Sequence, residues 1–319
     1  NCHSPVFLGS NKAMQLEIPA ISLSALPGRR HQIIEFAKES EERGFSGIFM
    51  PSLGDNMGLA VAVASVTKRI IFGTSICPIY FRSTVDLAQA AALVHEISNG
   101  RFRFGVGVAH GPSHQKFGVE VGKPLSDMRK FVADARAQER IGDLPPIVLA
   151  ALRKKMIALA GEISEGIVFA NGSRSHMQES LGVLSEEQRK DSTFFIGDMI
   201  PTCIHEDEKI AAAINRKTLV SYSLLPNYRN YWKEAGYEEE MHGVEKAISQ
   251  GGDPKEIMKC LSERWLSDST LYGPPSKILE SLEEWYSVGI KTPILVPSSA
   301  NGNQIKAIAE LFELCARLR

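Results

Sequence analysis

A chain of 319 residues that is 44% hydrophobic and 23% charged has the make-up of an ordinary soluble globular protein, with room for one large α/β domain or two smaller ones. Its formal net charge of −1 and lack of a long basic tract argue against nucleic acid as a partner, and no apolar run approaches the roughly 20 residues that span a membrane. The cysteines, Cys2, Cys77, Cys203, Cys260 and Cys315, are odd in number, scattered and without a CxxC pair. Neither a disulfide framework nor a metal site is expected, and a reducing cytoplasm fits best.

Residues 1–13 have no periodicity and precede Met14. They read as a disordered leader or a cloning remnant, without the long apolar core of a signal peptide. A single domain is expected over 14–319. Residues 18–23 form a first predicted strand, ending at Pro27-Gly28. A helix over about 29–43 turns Ile33, Phe36 and Ala37 inward and stops at Gly44. Residues 47–51 form a second buried strand, and the loop 52–56 leads into an Ala/Val-rich helix ending near Lys68. Strands three and four lie within 69–82 and 98–110. Both are short β-branched or aromatic runs bounded by Gly or Pro, suited to a parallel sheet buried on both faces. Between them Leu87, Ala90, Ala91 and Val94 recur at i, i+3, i+4 and i+7, the apolar face of a helix.

A long excursion over 111–122 follows strand four, and loops of that length are often functional. A helix is predicted over about 126–140 and strand five over 145–150. The next helix has Met156, Leu159, Ala160 and Ile163 as its inward stripe. Strand six covers 165–170 and ends in an Asn171-Gly172 turn; strand seven covers 194–204, its continuity left open. From 206 to about 266 the pattern is helical, with breaks at Pro226, Gly236 and Gly251-Gly252 and an abundance of Tyr and Trp. Residues 272–275 open another helix, 292–297 form the eighth strand, and Ile305, Ile308, Ala309 and Phe312 mark the last helix. Strands alternating with helices in this way predict a closed (β/α)8 TIM barrel with a helical insertion before the last strands. The rival is a doubly wound open sheet, which lacks a GxGxxG after its first strand.

In a βα fold the chemistry gathers at the C-terminal ends of the strands. His110 follows strand four directly, where an imidazole of near-neutral pKa could trade a proton with a reacting group; a rim-packing histidine is the plain alternative. His114 lies in the excursion that follows. Tyr80 and Arg82 end the strand-three turn. Arg82 could grip a carboxylate in bidentate fashion or simply fix its loop. Ser52 opens the loop after strand two, and Asp55 and Asn56 in that loop suit a helix N-cap. Arg101 reads as structural and Cys77 as a small buried hydrophobe. Arg153, Lys154 and Lys155 open a helix, where cations are disfavoured by roughly 0.3–1 kcal/mol each. An anion held there would reverse that penalty; a solvated basic helix start is the alternative. The aromatic run over 222–237 could roof a pocket or serve as helix core.

Several stretches together resemble the bacterial luciferase-like monooxygenase superfamily. They are Arg69-Ile-Ile-Phe-Gly-Thr-Ser-Ile76 with the Arg82 that follows, Gly100-Arg-Phe-Arg-Phe-Gly-Val-Gly107, Ala160-Gly-Glu-Ile-Ser-Glu-Gly-Ile167 and Tyr272-Gly-Pro-Pro-Ser-Lys-Ile278. Gly107-Val-Ala-His-Gly-Pro112 and Leu225-Pro-Asn-Tyr-Arg-Asn230 look most like its coenzyme F420-dependent branch, relatives of the methylene-tetrahydromethanopterin reductases. The resemblance implies a TIM barrel, a deazaflavin or flavin at the C-terminal ends of the strands, and hydride transfer at its ring. It implies a non-prolyl cis peptide at Ser75–Ile76 behind that ring. The cofactor positions it implies are Ser75, Ile76, Gly107 and Ala151, Leu152, Arg153 and Lys154, the last group at the phosphate, where Gly and Pro are usual in the family. Ser52, Tyr80, Arg82 and His114 are then expected on the substrate side and His110 at the reacting atoms. Relatives imply a homodimer, although no stretch identifies an interface.

Three readings follow. The first is a cytoplasmic F420-dependent oxidoreductase acting on a small organic substrate. The second is an FMN-dependent monooxygenase, since a deazaflavin lacks the N5 chemistry on which oxygen activation depends. The third is a barrel that binds a flavin without catalysis, which fold alone does not exclude.

Overall fold

The computed structural model describes residues 17–318; the expectation for residues 1–13 lies outside that range. Ten strands form one sheet. Eight of them make the barrel: β1 (Ala20–Ser22), β2 (Gly47–Met50), β3 (Ile71–Thr74), β4 (Phe102–Gly107), β5 (Ile147–Ala150), β6 (Gly166–Ala170), β7 (Phe195–Ile204) and β8 (Thr292–Ser298). Neighbours run parallel and in sequence order, and β8 pairs with both β7 and β1. The β7–β8 register runs unbroken from Gly197 opposite Thr292 to Cys203 opposite Ser298. That pairing closes the sheet into a (β/α)8 barrel and excludes the open doubly wound alternative.

Side chains alternate between two cores, as the pleat requires. Ala20, Phe49, Val148, Val168, Met199 and Ile294 fill the barrel, while the opposite strand faces pack on the surrounding helices in a larger core. Glycine is required where strands approach most closely: a Cβ at Gly105 would stand 1.8 Å from the Thr74 carbonyl oxygen. Gly44, at φ 70°, ends the helix Arg30–Glu42 in the left-handed conformation expected of a stop. Arg101 is structural: its buried guanidinium donates to the carbonyls of Ala64, Thr67, Ile70 and Ser98.

The excursion over 111–122 is not bare loop, because Gly111–Phe117 is a short helix begun by Pro112 and ended by Gly118 at φ 61°. The insertion holds the helices Glu208–Ser223, Pro226–Glu234, Glu238–Ser249, Pro254–Cys260 and Glu263–Ser269. Helix breaks fall at the expected residues: Pro226 starts a helix, and Gly236, Gly251 and Gly252 have positive φ. Two short strands escaped the sequence reading. Cys77–Pro78 pairs with Val106–Gly107, and Leu271–Gly273 pairs with Thr202–Ile204. Strands of two or three residues carry no periodicity to read. Short helical turns over 174–190 were also missed, although Ser185 and Gln188 form a capping box there.

Candidate active site

The mouth is the C-terminal end of the barrel. The peptide bond between Ser75 and Ile76, just after β3, is cis, as the resemblance implies. The Asn56 amide donates to the Ile76 carbonyl at 3.1 Å and to the Met50 carbonyl at 3.4 Å, tying the ends of β2 and β3 together. Asp55 is the N-cap of the helix Asn56–Val66, accepting from the Gly58 amide at 3.0 Å. Cys77 is buried, and desolvation pushes its thiol up to about 12, which leaves it without nucleophilic character at neutral pH.

Gly107 ends β4. A Cβ there would meet the Ile76 side chain at 2.9 Å and the Ala150 Cβ at 3.0 Å, so these groups pack directly on the glycine. Ile76, Ala150, Ala170 and Val296 are half-buried around Met199 and form an apolar floor of mostly small side chains. Such a floor suits the face of a flat ring system. Beyond Gly107 the chain turns at Ala109, whose φ is 57°, an unusual conformation for a residue with a Cβ. That turn presents His110 to the aromatic helices of the insertion. Its ring lies 6.2 Å from that of Tyr222 and 5.6 Å from that of Tyr228. Burial lowers the His110 pKa, and the nearby His114 lowers it further.

The expected substrate-side residues are largely committed to the protein itself. The Tyr80 hydroxyl donates to Asp127 at 2.6 Å, and its ring meets His114 edge-on at 5.5 Å. Burial and the Asp127 carboxylate push the Tyr80 phenol well above its usual range. His114 Nε2 sits 2.5 Å from the Val108 carbonyl; a carbonyl only accepts, so that nitrogen carries the proton. Arg82 pairs with Asp86 at 2.7 Å on an exposed helix turn. Ser52 is exposed in the loop after β2.

At the end of β5, Ala151 and Leu152 are buried, and Arg153 is the N-cap of the helix Lys154–Ile163. The basic helix start is balanced by carboxylates. Arg153 pairs with Glu234, its Nε at 2.9 Å, and Lys154 with Glu179 at 2.6 Å. These partners explain two cations that break the helix-dipole preference, and Glu234 comes from an insertion helix that sequence spacing did not connect to this site.

The end of β6 supplies residues that sequence reasoning missed. Asn171 stands at φ 56°, and its carbonyl accepts from Trp232 Nε1 at 3.3 Å. Its side chain favours the ionised form of both Tyr222 and Tyr228, although burial dominates and holds both phenols protonated. Ser173 N–H donates to the Tyr231 hydroxyl at 2.8 Å. Asp268 accepts from Ser175 Oγ and from the Tyr237 hydroxyl, each at 2.7 Å. In the aromatic run over 222–237, Tyr228, Tyr231, Trp232 and Tyr237 are buried core, while the half-buried Tyr222 packs edge-on against Tyr228 beside His110. Close to Tyr228 and Tyr231 lies Asp198 of β7, fully buried, its pKa raised by desolvation to about 8 and its Oδ2 without a hydrogen-bond partner. A carboxylate in the middle of an otherwise apolar strand was the available signal.

The sequence matches the profile of the luciferase-like monooxygenase family over residues 13–137 and 130–292. It is 26% identical to 5,10-methylenetetrahydromethanopterin reductase of Methanolobus tindarius over 43% of this chain and 49% of that one, so the match spans about half of the reductase. The coenzyme F420-dependent tetrahydromethanopterin reductase of Methanopyrus kandleri superposes with a TM-score of 0.71 at 16% identity, over 95% of this chain and all of that one. The FMN complex of the oxygenating constituent of 3,6-diketocamphane monooxygenase from Pseudomonas putida superposes with a TM-score of 0.61 at 15% identity, over 93% and 96%. At such identities the superpositions establish the shared barrel fold.

Proposed function

The chain belongs to the luciferase-like monooxygenase family, and on that premise we propose that it is an oxidoreductase moving a hydride between a deazaflavin of the F420 type and a small organic substrate. When bound, the deazaflavin supplies the carbon that carries the hydride. The apolar floor of Ile76, Gly107, Ala150 and Ala170 would take the ring face. Arg153 and Lys154 would exchange Glu234 and Glu179 for the cofactor's phosphate. The observation that carries the reading is His110, set at a strand end beside that floor and walled by Tyr222 and Tyr228. Reduction of a carbonyl needs one proton at oxygen for each hydride at carbon, and oxidation of an alcohol returns it; His110 would hold that proton. The likeness to two methanopterin reductases supports the deazaflavin over FMN. Free thiols at Cys77, Cys203, Cys260 and Cys315 support action in a reducing, cytoplasmic setting.

Titration with F420 and with FMN, followed by fluorescence, tests the proposal. F420 is expected to bind and FMN not, with turnover of the deazaflavin in the presence of an alcohol or carbonyl substrate. Tight FMN binding with oxygen uptake in the presence of reduced FMN would favour the monooxygenase reading. Binding without turnover across a substrate panel would favour a non-catalytic barrel.

A further inference from the structure

Asn171, the first residue after β6, joins the barrel to the insertion. It is only 4% exposed. Its backbone N–H donates to the Met199 carbonyl of β7 at 3.1 Å, and its own carbonyl accepts from Trp232 Nε1 at 3.3 Å. The backbone stands in the left-handed region at φ 56°, and the side-chain Nδ2 has no hydrogen-bond partner. A left-handed backbone and an unpaired buried donor both cost stability, and such costs collect where function requires them.

The same side chain faces the insertion. It lies close enough to the hydroxyls of Tyr222 and Tyr228 to favour the ionised form of each. Those phenols belong to different helices, Glu208–Ser223 and Pro226–Glu234, and their rings pack edge-on with centroids 5.1 Å apart. Both rings are neighbours of His110, with Tyr222 at 87° and Tyr228 at 59° to the imidazole plane. His110, Tyr222, Tyr228 and Asn171 therefore form one connected set that runs from the end of β4 to the end of β6. A tyrosine ring is fixed at one end by its backbone and at the other by what its hydroxyl meets. Here both hydroxyl ends gather at one amide.

Resting on the oxidoreductase reading above, we propose that Asn171 is a positioning residue: through Tyr222 and Tyr228 it fixes the plane of the His110 imidazole, and with it the direction in which His110 exchanges a proton with the substrate oxygen. Proton transfer requires donor and acceptor within hydrogen-bond reach, and a misplacement of about 1 Å costs roughly 10²-fold in rate.

Asn171→Gly tests this with the backbone contacts kept, because glycine accepts φ 56° and retains both the N–H and the carbonyl. The titratable groups facing the imidazole are His114, Tyr222 and Tyr228, and those facing Tyr228 include Asp198 and Tyr231; all remain in the variant. The readout is the His110 imidazole signal of the full chain without cofactor, assigned by its loss in His110→Gln and titrated by NMR. In Asn171→Gly its midpoint is expected to rise toward the ordinary 6.5, as loosened rings admit water. Tyr222→Phe keeps the half-buried ring, removes only the hydroxyl and is expected to shift the midpoint the same way. The double variant should shift it by less than the sum, since both changes break one contact. With F420 and substrate, Asn171→Gly should lower kcat roughly 10²-fold at unchanged F420 affinity. A wild-type midpoint in either single variant, or strictly additive shifts, would overturn the proposal. If the wild type fails to bind F420, the oxidoreductase reading falls, and the cofactor-free titration still decides whether Asn171 sets the imidazole.

Discussion

The acid–base behaviour of single side chains gives the most direct tests. His110 is depressed below its ordinary 6.5 by burial and then by His114, so its neutral, proton-accepting form persists into mild acid. In the oxidation direction kcat/KM should fall only once the pH drops below about 6.5. His110→Gln should remove that acid limb and lower kcat by roughly 10²–10⁴-fold with little change in cofactor affinity. An unchanged pH profile in the variant would remove His110 from the mechanism. Asp198 titrates in the opposite sense. Its folded pKa of about 8 stands above the ordinary 3.8, so the folded protein holds a proton that the unfolded chain releases. The stability this gives is complete below about pH 4 and is lost as the pH rises to about 8. Asp198→Asn should therefore gain in melting temperature relative to wild type across that window and run parallel to it above. Parallel curves throughout would mean that Asp198 does not hold its proton.

At the level of elements, the mouth is held by contacts between segments distant in the chain. Asn56 stands at the start of a helix yet serves the ends of two strands through the Met50 and Ile76 carbonyls. Asn56→Ala takes the donor from the Ile76 carbonyl, while the Met50 carbonyl keeps the Ser75 amide at 2.8 Å, and should cost about 1–3 kcal/mol, read as a lower denaturant midpoint at unchanged m-value. A loss below about 0.5 kcal/mol, the range of ordinary surface changes, would show that these hydrogen bonds contribute nothing net. The Arg153–Glu234 pair joins the end of β5 to an insertion helix, and both partners are substantially exposed; such pairs are worth at most about 1 kcal/mol and are easily exchanged. Replacing Arg153 and Lys154 together by Gln should weaken F420 binding and flatten its salt dependence. Wild-type affinity with a wild-type salt slope would place the phosphate elsewhere.

For the whole molecule, one helix on the outside of the barrel departs from the amphipathic pattern. Asn56–Val66 carries no charged side chain, and a helix apolar all round is normally covered. Val61 is exposed on it, and Leu93 and Ile97 are exposed on the helix Thr84–Ile97 that packs beside it. We propose a second copy of the chain as the cover of these side chains. Sedimentation should give a dimer for the wild type and a monomer for Val61→Glu combined with Leu93→Glu. A wild-type monomer at micromolar concentration would sink this expectation.

Alternation of short apolar runs with 3.6-period helices was enough to read the barrel from sequence, because each βα unit must bury both faces of its strand whatever its neighbours do. Residues that end strands, such as His110 and Gly107, were legible for the same reason: their place is set by the adjacent run. The pairing of side chains was not. Tyr80, Arg82 and His114 are polar at the right end of the barrel, yet Asp127, Asp86 and the Val108 carbonyl hold them. The cations at 153 and 154 meet carboxylates from residues 234 and 179. Asp198, alone in an apolar strand, took its meaning from Gly172 and the insertion tyrosines that close over it. Local sequence determines which face of an element is apolar. Which atom a polar group reaches depends on the distance between elements, and only the closed barrel sets that.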